Sequence, residues 1–142
     1  MPTKTTKPES FSADEKAAMR ERAKEAKAQL TAAEGEAEVR QKIADMSEPD
    51  RTIAQRLHEL ITAAVPSLTV RTYYGMPAYA RNGKVVAFYK PAEKFKSRYA
   101  TFGFEEEARL DDGEMWPTSW ALTKLTPAAE EQIVALVKKA AS

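Results

Sequence analysis

The spacing of apolar side chains divides the chain into a helical first half and a strand-rich second half. Ser12 followed by Glu15 has capping-box spacing, in which hydroxyl and carboxylate satisfy the free amides at a helix start, and Phe11 stands just outside it. A first helix is expected from about Ala13 to Leu30, but its apolar positions are almost all alanine, so it can bury little. Gly35 is read as a break, after which Val39, Ile43 and Met46 mark a short second helix. Ser47, Pro49 and Asp50 signal another N-terminus. The helix they open carries Ile53, Leu57, Leu60, Ile61 and Ala64 on one stripe, and Pro66 ends it.

From Leu68 the period falls to two. Leu68 to Tyr74 is a β-branched and aromatic run, and Gly75 and Pro77 interrupt it. Ala78 to Arg81 and Lys84 to Lys90 then flank Asn82-Gly83, the pair best suited to a tight hairpin turn. Both alternating sets of the return strand are apolar, which predicts cover on both faces. Arg98 to Phe104 and Met115 to Leu122 complete the strands, with Pro117 at a bulge or edge. Thr126-Pro127 opens a last helix with Ile133, Leu136, Val137 and Ala140 as its buried stripe. Helices, an antiparallel meander and a final helix define an α+β domain with one sheet of about four or five strands, packed by N-terminal and C-terminal helices. The expected organisation is a disordered tail over 1–11, a peripheral charged helix over 12–34 and the α+β domain over 35–142.

Composition narrows the chemistry. The 142 residues contain no cysteine, which excludes disulfides, thiolate metal sites and a sulfur nucleophile. A net charge of +1 gives no global field for nucleic acid, and no apolar run is long enough to span a bilayer. The Met-Pro-Thr-Lys start has no signal-peptide core, so the expected location is the cytoplasm.

Near-neutrality conceals two opposed blocks. Arg81, Lys84, Lys90, Lys94, Lys96 and Arg98 stand against Glu93 alone, a segment of +5; Glu105, Glu106, Glu107, Asp111, Asp112 and Glu114 stand against Arg109, a segment of −5. The basic block is interleaved with Phe88, Tyr89, Phe95 and Tyr99. It reads either as solubilising edge lysines or as a surface for a small organic anion. The acidic block reads either as a solvated turn or as carboxylates for a hard cation.

Eleven of the twelve aromatic residues fall between Tyr73 and Trp120. Tyr74, Met76, Tyr79, Tyr89, Trp116 and Trp120 could line an apolar pocket with Lys94, Lys96 and Arg98 beside it, or could simply form the sheet core. Gly75 before Met76-Pro77 suggests a bend that a ligand can approach closely. His58, the single histidine, is read as structural or solvent-facing, because Thr62 stands where a zinc-binding His-Glu-x-x-His would need its second histidine. No nucleophile elbow, phosphate loop or dinucleotide fingerprint is present.

Tyr74-Gly75-Met76-Pro77-Ala78-Tyr79, the Asn82-Gly83-Lys84 hairpin, Lys94-Phe95 and the Tyr99-Ala100-Thr101-Phe102-Gly103-Phe104 strand together resemble the YdhG-like domain family of bacterial proteins, over roughly residues 36–140. The resemblance implies a frataxin-like arrangement of helices on one antiparallel sheet. One branch of that family is described as intracellular iron chaperones. The leading expectation is a non-enzymatic cytoplasmic domain that needs no cofactor and binds a small anionic molecule or a protein partner through the aromatic and basic residues. The alternative is an iron-binding chaperone whose ligands would include Glu105, Glu106, Asp111 and Asp112.

Overall fold

A computed structural model describes residues 12–142; the expected tail over 1–11, with Phe11, lies outside the described residues. The chain divides into two units, residues 1–33 and 34–142. In the first, Ser12 and Glu15 form the expected capping box, each side chain accepting the other's amide at 3.0 and 3.1 Å.

The order is α1 (Ala13–Ala44), α2 (Asp50–Ala64), β1 (Thr69–Tyr73), β2 (Met76–Arg81), β3 (Lys84–Lys90), β4 (Ala100–Phe104), β5 (Ser119–Leu122) and α3 (Pro127–Ala140). The five strands form one antiparallel sheet in chain order, so the architecture is α+β.

Gly35 does not end a helix; α1 runs through it. A Cβ on Gly35 would lie 2.3 Å from the carbonyl oxygen of Val70, so the glycine serves close approach of α1 to the outer strand β1. That approach helps cover the free edge of the sheet. Nor does Ser47 cap α2 with its side chain. The Glu48 carboxylate does so instead, accepting the Thr52 amide at 3.2 Å and the Thr52 hydroxyl at 2.7 Å. Thr126 does cap α3, accepting the Ala129 amide at 3.1 Å.

The registers sort the side chains into two faces. Val70, Tyr79, Ala87 and Phe104 form one transverse row, and Tyr89, Phe102 and Trp120 another, both turned toward the helices. There they join Val39, Ile43, Ile53, Leu57, Ile61, Ile133 and Val137 in one buried cluster. Each large apolar side chain buried in it contributes roughly 1.5–3 kcal/mol.

The opposite face carries Arg71, Tyr73, Met76, Ala78, Phe88, Lys90 and Thr101. β3 is therefore packed by helices on one side only. On the other side Phe88 lies flat on Gly103, where a Cβ would come within 2.5 Å of the ring. Pro77 sits inside β2 without breaking it, because the β2–β3 ladder starts one residue later, at Ala78 opposite Phe88. Pro117 ends outside the sheet, since β5 begins only at Ser119 and the segment from Met115 to Thr118 leads into it.

Candidate functional site

Two hairpins of identical length use different turn residues. Asn82-Gly83 joins β2 to β3 with φ of 52° and 80°. Tyr74-Gly75 joins β1 to β2 with φ of 53° and 76°, so a tyrosine occupies a left-handed position that favours asparagine or glycine. Its ring is 80% exposed and touches Tyr73 edge-on at 4.7 Å between centroids. Core packing does not explain Tyr74.

Beside this turn lies a cleft of about 250 Å³, walled by Lys42 in the last turn of α1, Asp45, Met46 and Ser47 after it, Asp50 of α2, Gly75, and Pro91, Glu93 and Lys94 after β3. The Lys94 ammonium donates to the Gly75 carbonyl at 3.1 Å. Lys94 and Lys90 also lie 5.6 and 5.4 Å from the centre of the Phe95 ring, which holds them by cation–π attraction. Among the described residues neither lysine is ion-paired. Lys94 is exposed at the rim, while Asp45, Asp50 and Glu93 also wall the cleft.

The residues singled out in the sequence are dispersed. Tyr79 and Tyr89 are each 1% exposed in the core on the helix face, and burial pushes both phenols well above their ordinary range. Trp120 packs edge-on against Phe104 at 5.7 Å, and Trp116 is half-buried against the same cluster. Met76 is buried on the opposite face, across from Tyr73. These aromatics are a core on two sides of a sheet, and the expected single aromatic pocket does not form. Lys96 is exposed with φ of 53°, and the Arg98 guanidinium lies 5.0 Å from the Tyr99 ring, on an adjoining cavity of about 400 Å³ that shares Ser47, Asp50 and Glu93 with the cleft. Of the expected set only Lys94 lines the cleft, with Tyr74 in the turn beside it. Lys42, Ser47 and Asp50 carried no ligand signal in the sequence, because what brings them there is the meeting of the end of α1 with the start of α2.

The acidic block is also divided. Glu105 accepts the Tyr73 hydroxyl, Glu107 lies 3.6 Å from Lys84, and Glu106, Asp111 and Asp112 point to solvent. Among the described residues no group of three or more His, Asp or Glu side chains could hold a metal ion.

His58 is neither exposed nor idle. It is 5% exposed, with Nδ1 3.0 Å from the Tyr79 hydroxyl and Nε2 2.8 Å from Glu36, which in turn pairs with Arg40 at 2.6 Å. Because Tyr79 keeps its proton, its O–H donates to Nδ1, leaving Nε2–H to donate to the Glu36 carboxylate. Both ring nitrogens are occupied, so the network ties α1, α2 and β2 together and leaves no free base.

No protein-family model, no curated protein and no solved structure matches the chain. Among the described residues no helix is long and apolar enough to cross a membrane.

Proposed function

We propose that the protein is a non-enzymatic binding domain that takes a small anionic ligand in the cleft beside the Tyr74-Gly75 turn, with Lys42 and Lys94 supplying the positive charge. The observation that carries this is the Lys94 ammonium. It is unpaired by any described carboxylate and held at the Gly75 carbonyl, next to an exposed tyrosine in a strained backbone conformation. Strain of that kind clusters where function requires it, and the cleft beside it is concave.

Two other cavities offer less. In the one lined by Arg71, Tyr73, Lys84 and Glu105 to Glu107, Lys84 already faces Glu107 and three carboxylates stand against two bases, and the one beside His58 meets an imidazole with both nitrogens taken. An iron chaperone using residues 105–114 has less support, since two of those acids already hold Tyr73 and Lys84. Membership in the YdhG-like family, and with it a cytoplasmic location, is part of the same proposal; the α+β fold agrees with what the resemblance implies. The test is a titration with citrate and with inorganic phosphate, following backbone amide shifts. Changes at Gly75, Lys94 and Lys42 are expected, and shifts confined to other surfaces would overturn the reading.

A further inference from the structure

We infer that Asp50 is the positioning residue for the cleft, fixing the connection that carries Lys94; this rests on the binding reading above. Asp50 opens α2, where an acid suits the positive end of the helix dipole, yet its carboxylate is 4% exposed and reaches away from its own helix. Oδ2 accepts the Glu93 backbone amide at 3.0 Å, and Oδ1 lies 3.3 Å from the Tyr89 hydroxyl, which donates to it. Tyr89 is 1% exposed near the end of β3, so one buried acid joins α2, the last buried ring of β3 and the loop that follows.

Glu93 opens a turn in that loop. Its carbonyl accepts the Lys96 amide at 3.0 Å, while Ser97 closes a second turn onto the Ala92 carbonyl at 2.9 Å. The next residue, Lys94, crosses to Gly75. The chain of bonds from Asp50 to Glu93, Lys94 and Gly75 sets where the ammonium stands relative to Tyr74. Among the described residues no cationic side chain pairs with Asp50, although burying an acid is costly. The cap position of α2 is Pro49, so the helix start does not require an acid at Asp50; a serine there is too short to reach Glu93. What the acid adds is the hold on the loop.

The test compares Asp50→Ala, Asp50→Ser and Asp50→Asn with Ile133→Ala, a core variant remote from the cleft. In the absence of any ligand, protection of the Glu93 amide from hydrogen exchange is expected to fall about tenfold or more in D50A and D50S. It is expected to persist in D50N, whose carboxamide oxygen can still accept that amide. Citrate affinity is expected to fall about tenfold in D50A and D50S. It should be retained in D50N and in I133A. D50S keeps a polar hydroxyl at the buried position, so it serves if D50A does not fold. An undiminished Glu93 protection in folded D50S, or equal loss of affinity in D50S and I133A, would overturn the inference. If citrate fails to bind the unaltered protein, the ligand proposal fails, while the exchange measurement still decides the role of Asp50.

Discussion

Tyr79 and His58, 21 residues apart, share a buried hydrogen bond of 3.0 Å that the spacing of either residue gives no reason to expect. It forms because α2 lays His58 over the helix-facing side of β2, and Glu36 of α1 closes the other end of the imidazole at 2.8 Å. The pairing also limits function. A phenol kept protonated by burial and an imidazole bonded at both nitrogens are structural groups, and the anion-binding proposal therefore looks elsewhere.

His58→Phe fills the space but leaves the Tyr79 hydroxyl without a partner, which costs about 1–3 kcal/mol. Adding Tyr79→Phe removes the orphaned group and should recover most of that loss. Chemical denaturation of the two single variants and the double variant measures the coupling, and additive losses would contradict the account.

Partial burial pushes the Glu36 carboxyl up, but the His58 hydrogen bond together with the Arg40 charge and hydrogen bond outweigh it and hold it below the usual carboxylate range. A depressed folded value means stability that is fully present above the unfolded value of 4.5 and is lost as pH falls through the lower folded value. The stability difference between the unaltered protein and Glu36→Gln is thus expected to be constant near neutrality and to shrink in acid below pH 4.5. A difference that stays flat down to strong acid would contradict the assignment.

Gly35→Ala sets two effects against each other. Alanine is favoured over glycine within a helix by about 1 kcal/mol, but its Cβ would stand 2.3 Å from the Val70 carbonyl oxygen. Backbone cannot yield as a flexible side-chain end can, so a net loss of about 1–3 kcal/mol is expected in thermal or chemical unfolding. A stabilised G35A protein would show that α1 does not press on β1.

Tyr74→Asn converts the first hairpin to the same pair of turn residues as the second. Relief of the left-handed conformation exceeds the loss of the exposed contact with Tyr73, giving a net gain of roughly 0.5 kcal/mol. Citrate affinity should fall at the same time. A residue that costs stability and contributes binding is the signature of a functional position, and a variant that loses both would mark Tyr74 as structural instead.

The sheet was legible because alternation, Asn82-Gly83 and the Thr126-Pro127 start are local signals, and each acts through the backbone of a few neighbouring residues. Gly35 misled because glycine ends helices and also permits close approach, and only the position of Val70 distinguishes the two. The aromatics misled for a related reason. Tyr79 and Tyr89 alternate with the opposite-face residues Met76 and Phe88, and a pattern of two shows which residues share a face but not which face is covered. Lys94 was visible as part of a basic block, whereas Asp50 and Lys42 join it only through tertiary contacts.

The most direct test of the central claim is the citrate titration of the unaltered protein beside Lys94→Ala, followed by backbone amide shifts. The account predicts saturable shifts at Gly75, Lys42 and residues 92–97 in the unaltered protein, and their loss in K94A with the remainder of the spectrum unchanged. Identical titrations for the two proteins would contradict it.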